Sequence, residues 1–112
     1  MGTRGDRVGG QVMMTYDQFA ATFADGEPPS DLSVPLKGLW LVASGDWDGA
    51  HVLVQDDPSD EAAWVHAHLH RVEGDVGNAG YWYNRAGRSP TNVPFEQERE
   101  AIARVLLNGS GA

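Results

Sequence analysis

Three histidines stand at alternate positions in one short stretch, WVHAHLHRVEG, where they could bind a metal ion or exchange protons. On a helix, His66 and His70 lie one turn apart on the same face, and Glu73 follows one turn later. Histidines at i and i+4 with a glutamate at i+7 can supply three metal ligands. We therefore predict a divalent-metal site from His66, His70 and Glu73. We expect His68, on another face, to point to solvent.

Folding the neighbouring segments as antiparallel helical hairpins would bring more side chains to these histidines. Pairing across the loop at 56–60 places His51 opposite His66, where it could serve as a fourth ligand. Pairing across the turn at 74–75 places Tyr83 opposite the same histidine. The predicted ligand-binding residues are His51, His66, His70, Tyr83, Tyr81, Arg85 and Asn78.

Three interpretations of this cluster remain open. The first is a buried polar network in which imidazoles bond to tyrosine and backbone groups. The second is a small polar pocket for an organic anion, with Arg71 or Arg85 supplying positive charge. The third is the metal site, although the HxxxH spacing lacks the glutamate of HExxH that activates water.

Catalysis has less support in the sequence. The chain contains no cysteine nucleophile, no Gly-x-Ser-x-Gly turn and no phosphate-binding loop. Acid–base chemistry by a histidine in the predicted pocket is the catalytic hypothesis that the residues leave open.

The elements that would position the histidines are marked by an internal repeat. A glycine–aspartate pair followed by an alanine occurs at 45–50 and again at 74–79, an offset of 29 residues. Glycine accepts the left-handed conformation that ends a helix, and the aspartate then accepts N–H bonds at the start of the next. The small alanine lets two helices approach closely. Such repeats indicate stacked helical units.

This pattern resembles the tetratricopeptide-type helical repeat over residues 34–87. That family has a small residue in its first helix, glycine–aspartate at the turn, and alanine, an aromatic residue and alanine in its second helix. The second unit matches it at Ala67, Gly74, Asp75, Ala79, Tyr83 and Ala86. The first unit matches at Gly38, Gly45, Asp46 and Ala50, with Val54 in place of the aromatic residue. The resemblance implies helical hairpins and a surface for a protein or peptide partner.

The 112 residues therefore predict one all-α domain, a compact bundle of about five to six helices. Its expected parts are a flexible leader (1–14), a domain (15–108) with hairpins at about 34–55 and 60–87 and a C-terminal helix at about 94–107, and a disordered tail (109–112).

Composition limits the classes of partner. The 16 acidic and 8 basic residues give a net charge of −8, which repels phosphate backbones and anionic lipids. Binding to nucleic acid or to a membrane surface is therefore not expected, and no apolar run is long enough to span a bilayer. The absence of cysteine excludes disulfides and thiolate metal sites and suits a cytoplasmic location.

The resemblance makes a non-catalytic, cytoplasmic scaffold for a protein or peptide our first hypothesis, which rests on fold analogy. Its binding surface would include Tyr81, Arg85 and Arg88. The alternative hypothesis is a small-ligand or metal-binding protein with a His/Tyr pocket, and we predict no cofactor other than a divalent metal. A homodimer would cover the helical faces that two repeats leave open.

Overall fold

The structure, a computed structural model, describes residues 14–108 and consists of six α-helices within that range. They are α1 (Tyr16–Ala21), α2 (Val34–Ala43), α3 (Trp47–Gln55), α4 (Asp60–Val72), α5 (Val76–Ala86) and α6 (Phe95–Leu107). No residue of 14–108 lies in a strand, so the predicted all-α class is confirmed. The tail at 109–112 and the predicted leader, except Met14, lie outside the described residues. None of the six helices has the length and apolar character that crossing a bilayer requires.

The two glycine–aspartate turns have the same geometry. Gly45 and Gly74 have φ angles of 100° and 88°, in the left-handed region that glycine enters without a steric penalty. The N–H of the following aspartate donates to a carbonyl in the last turn of the preceding helix, at 2.8 Å in both cases. The side chains of Asp46 and Asp75 then cap α3 and α5 by accepting a backbone N–H three residues later. The repeated sequence therefore forms a repeated turn.

Helix α4 is the centre of the described fold and packs against α2, α3, α5 and α6. Its buried residues are Ala62, Ala63, Val65, His66, Ala67, His68, Leu69 and His70. Because eight residues of one short helix are buried, polar side chains must be accommodated on more than one of its faces.

Helices α2 and α3 are in close contact at Gly38. A Cβ atom at this position would lie 2.6 Å from Cγ1 of Val54 and 3.4 Å from Cγ1 of Val65. Both valines are fully buried and β-branched, so they have little freedom to move aside. The small residue that the repeat pattern places here is therefore required by packing.

We expect Gly38→Ala to destabilise the protein by about 1–3 kcal/mol, because the added methyl group overpacks the contact between α2 and α3. Gly80→Ala is the matched control, since Gly80 is also helical but has no heavy atom within 4 Å of an added Cβ. That change should stabilise the protein by up to about 1 kcal/mol through helix propensity. Urea unfolding measures both, and equal effects would contradict the close contact.

Candidate functional site

The three histidines that meet in the structure are His51 from α3 and His66 and His70 from α4. Nε2 of His66 lies 3.1 Å from Nε2 of His51. The ring of His70 lies 4.9 Å from that of His66 and 5.4 Å from that of His51, measured between centroids. One ring nitrogen from each histidine belongs to a group whose members all lie within 4.8 Å of one another. We call these residues the histidine cluster.

Two tryptophans enclose the histidine cluster. Trp47 stacks on His51 with ring centroids 5.0 Å apart, and its indole N–H donates to the Leu69 carbonyl at 2.7 Å, which fixes its orientation. Trp82 of α5 stacks on His66 with centroids 3.9 Å apart. The cluster therefore lies between two flat apolar walls that hold the imidazole planes.

Tyr83 was predicted opposite His66, and that placement is wrong. Its neighbour Trp82 faces the cluster, whereas the Tyr83 hydroxyl donates to the carboxylate of Glu98. The two side chains differ by about 100° around α5, so a small rotation of the helix decides which one meets His66. The turn spacing predicts the pairing of the helices but does not determine this rotation. Trp82 follows Ala79 by three residues, a spacing that puts both on one face of α5 and that could have indicated Trp82 as a neighbour of α4.

The other predicted ligand-binding residues lie outside the histidine cluster. Asn78 bonds to Asp75 through its backbone N–H at 3.2 Å and its side-chain amide at 3.1 Å. Arg85 lies 5.7 Å from the ring centroid of Trp82, on which it makes a cation–π contact. Tyr81 is 59% exposed.

Glu73 acts on the cluster through His70. Its Oε2 lies 2.7 Å from Nδ1 of His70, and its side chain remains 39% exposed. A proton on Nδ1 would be held by this bond, so the lone pair of His70 would be on Nε2. Of the residues predicted to bind a metal, His66 and His70 thus lie together with His51 as potential ligands, and Glu73 contacts this group through His70.

His66 is held in the neutral form. Burial, followed by the repulsion of His51 and His70, lowers the pKa of His66 from 6.5 to about 4. Its side chain therefore carries no charge at neutral pH, and its ring can present a lone pair without first releasing a proton.

The spacing of the imidazoles fits a transition-metal ion. Two nitrogens bound to one tetrahedral zinc ion at about 2.0–2.1 Å lie about 3.3 Å apart. The Nε2 atoms of His51 and His66 are already 3.1 Å apart. A carboxylate on the outer nitrogen of a ligating histidine, as Glu73 is on His70, is the usual arrangement around such metals.

A second polar centre surrounds Glu98 of α6, which is 4% exposed. Its Oε1 lies 2.7 Å from Nδ1 of His68 and accepts from Nη1 of Arg71 at 3.0 Å. The hydroxyl of Tyr83 donates to Oε2. His68 was expected in solvent but is fully buried, because α6 covers that face of α4. This centre therefore joins α4, α5 and α6.

The contacts of Glu98 determine its charge. Burial alone would raise the pKa of Glu98, but the hydrogen bonds from His68, Tyr83 and Arg71 outweigh it and lower the pKa. Burial and the neighbouring carboxylate raise the pKa of Tyr83, which remains a phenol and donor. Each oxygen of the Glu98 carboxylate thus has a partner, whereas the buried Nε2 of His68 has none among the described residues.

We expect Glu98→Gln to destabilise the protein by about 3–5 kcal/mol at neutral pH, because it leaves Arg71 without its buried counter-charge. Because the folded-state pKa is lowered, the contribution of Glu98 is complete above its unfolded-state pKa of about 4.3. It is lost as the pH falls through the folded-state value. The variant should therefore lose less stability than the wild type on acidification.

The matched control for this change is Glu100→Gln on the same helix. Glu100 forms an exposed i,i+4 pair with Arg104 at 2.6 Å, which typically contributes only about 0.3–0.5 kcal/mol. Urea unfolding between neutral and acidic pH measures all three proteins. Parallel pH profiles for the wild type and Glu98→Gln would contradict the assignment.

Comparison with known proteins adds no relative. No protein-family model matches the chain, and no curated protein and no solved structure matches it significantly. The resemblance to tetratricopeptide repeats therefore stays a prediction, and the functional argument rests on the side chains described above.

Proposed function

We propose that the protein binds one divalent transition-metal ion through His51, His66 and His70. The observation that carries this proposal is the convergence of three ring nitrogens within 4.8 Å of one another, from two helices joined by a short loop. This function corresponds to the second of the two hypotheses drawn from the sequence, with imidazoles as the ligand set.

The contrast with the centre at Glu98 supports a ligand-binding role. At Glu98, a carboxylate occupies the middle of the group and accepts bonds from three donors. In the histidine cluster, ring nitrogens of three imidazoles lie close together, and the acidic side chain bonded to the cluster is that of Glu73, through Nδ1 of His70. A bound cation would supply the positive centre to which three lone pairs are complementary.

The donor set indicates the class of metal. Imidazole nitrogens suit Zn²⁺, Co²⁺, Ni²⁺ and Cu²⁺, whereas Mg²⁺ and Ca²⁺ require oxygen ligands. The chain has no cysteine that could complete a thiolate site. We therefore propose a binder of borderline transition metals, and we assign it to the cytoplasm because a cysteine-free chain is compatible with a reducing compartment.

The test is titration of the untagged protein with Co²⁺, in which binding is monitored both by calorimetry and by the visible absorption of the bound ion. We expect one equivalent per chain. His51→Ala should weaken binding more than about 100-fold, whereas Glu73→Gln, which removes only the outer partner of His70, should weaken it about 10–100-fold.

Val52→Ala is the control for folding and handling, because Val52 follows His51 on α3 and is 61% exposed. It should bind like the wild type. All these variants retain His68, so a difference in Co²⁺ affinity between them cannot be due to that histidine. Equal affinity of the wild type and His51→Ala for Co²⁺ would refute the assignment.

The second candidate is the scaffold for a protein or peptide, which one observation favours. Tyr81 and Val76 of α5 are 59% and 76% exposed, and among the described helices the backbone of α5 lies close to that of α4 alone, although the Tyr83 hydroxyl reaches Glu98 of α6. If a second copy covers this face, sedimentation equilibrium should show a dimer that Tyr81→Glu dissociates. A monomer at high micromolar concentration would remove the homodimer from consideration.

A further inference from the structure

We propose that a cleft between α4, α6 and the connection at 87–94 binds a small monocarboxylate with a flat apolar body, held by Arg88 beside Trp64. The cleft has a volume of about 450 Å³ and shares no residue with the histidine cluster. This volume suits a small organic molecule, because the sites of such ligands typically measure about 300–1,000 Å³. The inference is therefore independent of the proposed metal site.

The lining of the cleft combines apolar surface with polar groups, as ligand sites generally do. Its apolar surface comes from Trp64, Val93 and Ala101. Its polar groups belong to Arg88, Ser89, Thr91, Gln97 and Glu98. The apolar part suits a flat ring, and the polar part can fix the orientation of a charged group on that ring.

Two interactions place the guanidinium of Arg88 at this cleft. Gly87 ends α5 with a φ angle of 72°, in the left-handed region, and the N–H of Arg88 donates to the Tyr83 carbonyl at 3.0 Å. Cζ of Arg88 lies 3.8 Å from the centroid of the Trp64 ring, in a cation–π contact. Trp64 packs against core residues of α4 and α5, so the guanidinium has a fixed support.

Arg88 has no acidic partner within residues 14–108, although acidic residues outnumber basic ones by 16 to 8 in the chain. The arginines that form ion pairs in that range are Arg71 and Arg104. The indole N–H of Trp64 likewise donates to no described residue, unlike that of Trp47. The cleft thus presents donors without an acceptor, and a carboxylate can accept two parallel N–H bonds from one guanidinium.

The charges around the cleft favour a ligand with a single negative charge. Asp60 and Glu61 line a neighbouring cavity that Arg88 also lines. The charge of Glu98, within the cleft, is offset by Arg71 at 3.0 Å. A dianion such as a phosphate ester would be repelled more strongly by the two acids and by the net charge of −8. A cationic ligand would be repelled by the guanidinium itself.

A second cleft beside the same connection has a volume of about 370 Å³ and contains Arg71 as its positive group. The guanidinium of Arg71, however, donates to Glu98 through Nη1 and to the Val93 carbonyl through Nη2. These bonds hold Arg71 within the protein, whereas no described residue holds Arg88 in this way. The carboxylate site is therefore assigned to the cleft at Arg88.

The test is two-dimensional NMR of the ¹⁵N-labelled full chain titrated with benzoate, with the indole N–H signal of Trp64 as the local probe. We expect saturable shifts of this signal. Benzamide has the same shape without the charge and should bind at least about tenfold more weakly, because a charge-assisted hydrogen bond is lost. Phenyl phosphate should bind more weakly than benzoate, and benzylamine should give no saturable shift.

Arg88→Gln should weaken benzoate binding about 10- to 100-fold for the same reason. The matched control is Arg85→Gln, which removes the same charge from an exposed arginine that lies over Trp82, outside the cleft. It should change the affinity less than about twofold, because salt screens distant exposed charges.

Gln97→Glu is a second variant that does not disturb the contact between Arg88 and Trp64. Gln97 is exposed in the first turn of α6, where an acidic side chain is favourable for the helix. The new carboxylate lies in the lining of the cleft and should weaken benzoate binding by repulsion.

Weak benzoate binding by Arg88→Gln and Gln97→Glu, with normal binding by Arg85→Gln, supports the site. Equal losses in the two arginine variants, or wild-type affinity in Gln97→Glu, would overturn it. So would equal affinities for benzoate and benzamide, tighter binding of phenyl phosphate, or saturable binding of benzylamine. Absence of a saturable shift of the Trp64 indole signal with benzoate also overturns it. The titration with Co²⁺ tests the histidine cluster separately, so either proposal can fail alone.

Discussion

The alternation of histidines on the central helix is the constraint on which the rest of the structure depends. Because a helix turns about 200° over two residues, His68 faces away from His66 and His70. Helix α4 is surrounded by four others, so imidazoles are buried on both sides of it. Each side then needs polar partners that the neighbouring helices supply, since a buried polar group without a partner is costly.

The two sides meet this requirement in different ways. On one side, Glu98 brings a negative charge from α6 to Nδ1 of His68, and Arg71 and Tyr83 complete the group. Nε2 of His68 has no hydrogen-bond partner among residues 14–108. On the other side, His66 meets the imidazoles of His51 and His70 and the indole face of Trp82, and burial suppresses its charge. The first arrangement holds helices together, and the second leaves donor atoms available for a ligand.

Much of the architecture could be predicted from local signals. The glycine–aspartate turns identify the helix ends because a left-handed residue and a side-chain cap act within a few residues. The contact between His51 and His66 was also predictable, since a short loop between antiparallel helices leaves little choice of register. The structure is all-helical over the described residues, and His51 and His66, from two helices, are in contact, as these signals predict.

The failures all concern rotation of helices and contacts across long connections. Tyr83 and Trp82 exchange roles because the rotation of α5 about its axis depends on packing against α4, which no short motif encodes. Glu98 and the burial of His68 depend on where α6 docks, after a connection that carries no pattern for its direction. In the sequence, only the position of Glu98, on the same face of α6 as the apolar Phe95 and Ile102, indicated that this helix meets a buried polar partner.

The outer face of α5 has a consequence for the lifetime of any complex. Gly77 and Gly80 have open space where side chains would be, and they lower the helix propensity of a segment that is held by its packing on α4 and by the bond from Tyr83 to Glu98 of α6. Local opening of this helix would be seen as fast amide exchange. Trp82 would move away from His66 each time α5 opens locally. The rate of this opening would therefore limit how long a bound metal ion stays enclosed.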